Sequence, residues 1–139
     1  MASNYTYVST LICDDCRKED TGKDIAFGIY VGSIVTQQLP LLMPIFAIRF
    51  EVVPDKRRYE NVTATIKDPE GRETVRVGGI IEFNQINVPS SFFFRISSVL
   101  FQNEGKHTVS LAMDGELDEI YEFKIIQLAT QGDKASTNF

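Results

Sequence analysis

Three groups of residues in this chain have the types and spacing to do chemistry. Cys13-Asp14-Asp15-Cys16 sets two thiols three positions apart, a spacing used to hold zinc or to run thiol–disulfide exchange. Zinc wants four ligands in a tetrahedron, and the sequence has no second cysteine pair. His107 is the only other soft ligand, so Asp14, Asp15 or a second subunit would have to complete the shell. A redox role would put the pair at the start of a helix, and Arg17-Lys18-Glu19-Asp20 has no apolar face for one. Cys13 and Cys16 are therefore metal candidates set against a simpler reading, a strand-end loop in which Cys13 packs inward and Cys16 is incidental.

His107 is the second group. As a general base it would need a nucleophile or substrate proton within reach and a partner to orient it. The third group is acidic: Asp14, Asp15, Glu19 and Asp20 in one segment, and Asp114, Glu116, Asp118 and Glu119 in another. Calcium needs about six to eight converging oxygens, and the Asp-x-Asx-x-Asx-Gly loop is absent, so a solvated acidic rim is the better reading. Asp55-Lys56-Arg57-Arg58 is the one dense basic cluster, and it reads as a solvated loop. No Gly-x-Ser-x-Gly elbow, phosphate-binding glycine loop or HExxH occurs, and Gly78-Gly79 is followed by neither Lys nor a helix start. The expectation is no enzyme, no cofactor and no catalytic residue.

The elements that must position these groups read as strands. Tyr5–Ile12 is β-branched and aromatic, Cys13–Lys23 is a charged loop, and Ile25, Phe27, Ile29 and Val31 alternate on a second strand. Gln37–Pro44 carries two prolines, which disfavour a helix interior and a central strand alike, so it reads as an extended connector. Phe46, Ile48, Phe50 and Val52 form an apolar strand face, and Val62, Ala64 and Ile66 another. Asp68-Pro69-Glu70-Gly71 is a turn, with Thr74–Val77 returning from it. Gly78-Gly79 marks a break before Ile81 and Phe83. Phe92–Phe101 fits helical spacing through Phe93, Ile96 and Leu100. It also fits a strand through Phe92, Phe94, Ile96, Ser98 and Leu100, and its Phe, Ile and Val content favours the strand.

The closing segment is a hairpin. His107, Val109, Leu111 and Met113 share one face, Asp114-Gly115 supplies the turn, and Tyr121, Phe123 and Ile125 face the core on the return. About eight short strands, with turn signals roughly every 8–12 residues, make an all-β two-sheet antiparallel sandwich. The closing order, strand, Gly105, strand, turn, strand, resembles the end of immunoglobulin-like domains. Many of those carry a Tyr two places after such a glycine, bonded back to the corner. Here His107 stands there, which makes Gly105 and His107 a structural corner.

The segments ICDDCRKEDTGKDIAFGIYVGSIV, LPLLMPIFAIRFEV, IKDPEGR and EGKHTVSLAMDGE resemble an uncharacterised bacterial and phage-associated family, a domain of unknown function. Its pattern is a Cys-Asp segment, a Gly-x-Tyr strand (here Gly28-Ile29-Tyr30) and a Pro-rich apolar connector. The resemblance implies a β-sandwich and no activity.

With 139 residues the chain is expected to form one domain over 1–128, followed by a polar, frayed tail over 129–139. A net charge of −5 opposes binding to nucleic acid or anionic membranes, and no stretch of about 18 apolar residues occurs. No signal peptide is visible, and two cysteines make no disulfide framework, so a reducing cytoplasm is expected and the sequon at Asn61 has no role. Trp is absent, which removes the usual carbohydrate platform. Large apolar side chains remain on both sides of Leu39–Phe46 and Phe92–Phe94. Leu41, Leu42, Phe46, Phe92, Phe93 and Phe94 are thus the interface candidates. The expected function is a structural or protein-interaction module with a protein partner or itself, as a homodimer. The competing expectation is a metal- or small-ligand-binding domain using the Cys13–Cys16 loop.

Overall fold

The computed structural model describes residues 5–56, 58–113 and 115–128, without the side chains of Arg58 and Glu116. Arg57 of the basic cluster, Asp114 of the closing turn and the 129–139 tail lie outside the described residues. The strands are β1 (Tyr5–Lys18), β2 (Asp24–Tyr30), β3 (Ser33–Thr36), β4 (Leu41–Pro54) and β5 (Arg58–Lys67), then β6 (Glu73–Phe83), β7 (Ser90–Phe101), β8 (Gly105–Met113) and β9 (Glu116–Gln127). They form two curled sheets, ordered β2-β1-β4-β7 and β3-β9-β8-β5-β6. No helix occurs among the described residues, so none there is long and apolar enough to cross a membrane.

Period-two alternation builds the core, because it gives each strand one apolar face to bury. β4 contributes Phe46, Ile48, Phe50 and Val52, β5 contributes Val62, Ala64 and Ile66, and the closing hairpin contributes Val109, Leu111, Phe123 and Ile125. Phe50 lies 5.4 Å from Phe92 and 6.4 Å from Phe94, ring centre to ring centre, within the range of favourable aromatic pairs.

Several elements depart from the expectation. Cys13–Lys18 is the second half of β1 and not a loop. β3 is a ninth strand and lies parallel to β9. Only Ile34 of its four residues is buried, which leaves no periodic signal to read. β4 begins at Leu41 despite Pro44. β1 pairs with β4 only from Pro54 back to Ala47, so Pro44 sits in a stretch flanked by β7 alone, where a missing N–H is tolerated. β6 runs unbroken through Gly78-Gly79, and a Cβ on Gly78 would stand 3.1 Å from the Val62 carbonyl oxygen. The glycine there permits close strand approach and does not end the strand.

Phe92–Phe101 is a strand, but with a change of face that simple alternation misses. Ser98 adopts φ of 60°, a left-handed conformation, and the buried positions pass from Phe92 and Phe94 to Val99 and Phe101. Leu100 points outward beside its cross-strand partner Leu42.

Truncation of Phe50 should therefore be expensive and truncation of Leu42 nearly silent. Phe50→Ala is expected to lower unfolding free energy by about 3–5 kcal/mol, and Leu42→Ala by no more than about 0.5 kcal/mol, in urea titrations. A loss near zero at Phe50 would contradict the packing described.

Candidate functional site

The region where chemically capable side chains converge is the outer face of the four-stranded sheet. β1 leaves β4 after the Cys13–Ala47 pair but stays paired with β2 as far as Lys18 and Asp24. In the flat sheet order β2 lies three places from β7, roughly 14 Å at the usual strand spacing. Yet Asp24 on β2 accepts a hydrogen bond from the Ser91 hydroxyl on β7. The far end of the β1–β2 hairpin therefore folds back across the sheet. The bend lies at Gly28, whose φ is 64°, and a Cβ there would stand 2.2 Å from the Asp14 carboxylate. The Tyr30 hydroxyl donates to that same carboxylate.

Two carboxylates pin the folded hairpin. Asp24, its side chain 8% exposed, takes Arg49 Nε at 2.8 Å and Lys18 Nζ at 2.7 Å besides Ser91. Burial pushes its carboxyl up, but the donors from Lys18, Ser91 and Arg49 outweigh this and bring it down to about 2. Asp15 accepts from Arg95 Nε on β7 at 2.7 Å, from Arg17 Nε at 3.1 Å and from the Cys16 N–H at 2.8 Å. The hydrogen bond from Arg95 is the main cause that holds its carboxyl below the usual range.

Beneath the hairpin lies a second small core. Cys13, Cys16 and Ala47 are fully buried, and Ala26 and Phe93 pack against them. Cys13 Sγ donates to the Asp15 carbonyl at 3.2 Å. Burial pushes the Cys13 thiol up to about 11 and raises Cys16 as well, so both stay protonated at neutral pH. Both cysteines stand in a strand and not in a loop, and the folded hairpin covers them. Among the described residues no group of three His, Cys, Asp or Glu side chains converges to hold a metal ion. An open depression of about 460 Å³ remains where the hairpin tip meets the sheet. Its polar wall, Asp24, Arg49 and Ser91, is already paired internally.

His107 lies elsewhere, fully buried on β8 and stacked on Phe123 at 5.4 Å. Its Nε2–H donates to the Asn103 carbonyl at 2.9 Å, which ties β8 to the preceding corner, and its Nδ1 meets no partner. Gly105, at φ of 115°, leaves room for Pro69, whose ring would stand 3.1 Å from a Cβ. Of the acidic residues, Asp118 accepts from the Tyr5 hydroxyl at 3.2 Å, and Glu19 pairs with Lys23 at 3.4 Å. These carboxylates diverge to separate partners.

The interface candidates divide. Phe46, Phe92 and Phe94 are buried in the chain's own core, because β4 and β7 turn their large side chains toward the second sheet. Leu41 is half-buried against that core, and Phe93 is half-buried beside the thiols. Leu42 alone is exposed, at 58%. Sequence reasoning missed the larger apolar surface. Phe27 is 49% exposed, Ile29 48% and Ile25 36%, with Val31 beyond them at 89%. Their alternation was legible, but it points to solvent, since the hairpin lays Ala26 and Cys16 on the sheet instead. The Asp24–Arg49–Ser91 and Asp15–Arg95 contacts had no sequence signal.

A model of the Family of unknown function (DUF6941) matches residues 8–126. No curated protein matches the chain. Among solved structures, Pseudomonas fluorescens alkylpurine DNA glycosylase AlkC, bound to DNA containing an abasic site analog, is similar with a TM-score of 0.50 and 9% identity. That likeness covers 89% of this chain and 31% of the glycosylase, and it concerns the fold alone. A beta-glucosidase from Listeria innocua in complex with isofagomine gives a TM-score of 0.43 at 13% identity, over 70% of this chain and 15% of that one. This chain spans less than a third of either protein.

Asp24 sets a pH signature. Its folded-state carboxyl is depressed, so its stabilisation is present above the unfolded value near 3.8 and is lost as pH falls through about 2. The shift corresponds to about 2 kcal/mol. Urea titrations should find Asp24→Asn less stable than wild type at neutral pH, with the difference shrinking between about pH 4 and 2. Maleimide should also label Cys16 faster in the variant. An unchanged labelling rate together with pH-independent loss would contradict the pinned hairpin.

Proposed function

The chain belongs to the family of unknown function DUF6941, and we propose that it acts as a non-enzymatic structural or protein-interaction module. One observation carries this reading. The groups able to do chemistry are engaged inward, while the apolar side of β2 stands in solvent. It is supported by thiols sealed at raised pKa and carboxylates held by arginines in this region, and by a histidine enclosed in an aromatic cluster elsewhere. Exposed apolar rows on a strand are the usual mark of a docking surface.

The immunoglobulin-like reading is part of the proposal. It is supported by the set β9-β8-β5-β6, which corresponds to the last two strands of such domains beside their third and fourth. The crossings from β4 to β5 and from β6 to β7 between sheets are of the same kind. A bacterial origin and a reducing cytoplasmic setting belong to the reading too, and two unbridged cysteines fit the latter.

The test is whether the folded chain has an adhesive surface on β2. Wild type should either self-associate or, as a monomer, bind a fluorescent apolar probe. Joint Ile25→Ser, Phe27→Ser and Ile29→Ser substitution should abolish whichever behaviour is found. A folded monomer that binds no probe would overturn the proposal.

A further inference from the structure

A bend in the strand, and not the strand alone, sets up the cysteine pair. In a regular strand, residues three apart point to opposite faces and lie about 10 Å from each other. Cys13 and Cys16 instead enter the same small core, against Ala47, Ala26 and Phe93. β1 pairs with β2 on either side of the bend, Cys13 opposite Ile29 and Cys16 opposite Ala26, with the left-handed Gly28 between. Cys13 Sγ donates to the Asp15 carbonyl at 3.2 Å, and the carbon of that carbonyl is bonded to the Cys16 nitrogen. A straight strand would put that oxygen beyond the reach of the Cys13 side chain. A disulfide needs Cα atoms about 4–7 Å apart, and the bend supplies most of this approach. The thiols also feel each other: after burial, Cys16 is the largest influence raising Cys13.

The two sulfurs differ in what holds them. Cys13 lies in the last pair that β1 makes with β4, opposite Ala47, and its thiol meets the Ala47 carbonyl at 3.9 Å. Cys16 lies beyond that pair, in the part of the hairpin held on the sheet through Asp24 and Asp15. Lifting the hairpin therefore wets Cys16 first and leaves Cys13 on β4. Wetting removes the burial that keeps the Cys16 thiol protonated, and the thiolate is the reactive form.

We propose that Cys13 and Cys16 form a reversible dithiol–disulfide site gated by the β1–β2 hairpin, with small-molecule disulfides as the oxidant. In the opened hairpin the Cys16 thiol gives its proton to water, and the thiolate attacks one sulfur of the small disulfide. The S–S bond of that molecule breaks, one small thiolate leaves, and a mixed disulfide forms at Cys16. Cys13 then loses its proton and attacks the Cys16 sulfur, which expels the second small thiolate and closes the Cys13–Cys16 bond. Two electrons pass from the protein pair to the small disulfide, which takes up the two protons and ends as two thiols. This site goes beyond the interaction-module reading and does not depend on it.

Oxidised glutathione added to the native full chain at neutral pH, followed by acid quenching, alkylation and mass spectrometry, tests the proposal. Wild type is expected to lose both thiols together, with no glutathione retained and circular dichroism unchanged. Asp24→Asn is expected to react about tenfold faster or more, because its hairpin opens more often. Ser91→Ala removes another donor from the same pin and serves if Asp24→Asn misfolds. Cys13→Ser should stop with a single glutathione held on Cys16, and Cys16→Ser should react more slowly than Cys13→Ser. Equal rates in these two variants would overturn Cys16 as the attacking sulfur. Two free thiols that persist in wild type and in both hairpin variants, or a disulfide that forms only in denaturant, would overturn the site itself.

Discussion

One buried charge fixes the outer layer of this molecule. Asp24 is almost wholly removed from water, and an unpaired carboxylate in that position would be prohibitively unfavourable. Its donors come from three different strands: Lys18 on β1, Arg49 on β4 and Ser91 on β7. They meet only when the β1–β2 hairpin lies folded across the sheet. The charge therefore selects one hairpin position over the alternatives, and Asp15 with Arg95 repeats the selection on the same face.

The position of the hairpin decides what the rest of the surface can do. The face that lands on the sheet brings Ala26 and Cys16 down onto Cys13, Ala47 and Phe93, which excludes water from both thiols. The opposite face lifts Ile25, Phe27 and Ile29 into solvent. Burial of the thiols and exposure of an apolar row are two consequences of one fold-over. Tyr30 and Asp14, closing over the space left by Gly28, make the bend that allows both.

Local periodicity carried much of the fold. Phe46, Ile48, Phe50 and Val52 face the core as their alternation requires, and so do Phe123 and Ile125 on the closing strand. The Asp68–Gly71 turn is closed by the Gly71 N–H donating to the Asp68 carbonyl at 2.9 Å. What sequence could not convey is long-range. Asp24 and Ser91 are 67 residues apart, Asp15 and Arg95 are 80, and no period links them. Polar residues near the thiols looked like loop because their partners lay on distant strands. Ser98 hid its change of face, since a serine in left-handed conformation looks no different in sequence from one in a regular strand. The exposed row on β2 was visible as alternation, but alternation alone does not say which side is wet.

The most direct measurement is amide hydrogen exchange across the β1–β2 hairpin, in wild type and in Asp24→Asn. The account predicts that the amides hydrogen-bonded between β1 and β2 over Asp15–Lys18 and Asp24–Phe27 exchange in wild type as slowly as those of β4, through global unfolding. In the variant they should lose protection together while β4 keeps its own. Fast exchange of the wild-type hairpin, or a hairpin in the variant still as protected as β4, would contradict the claim that this charge holds the outer layer in place.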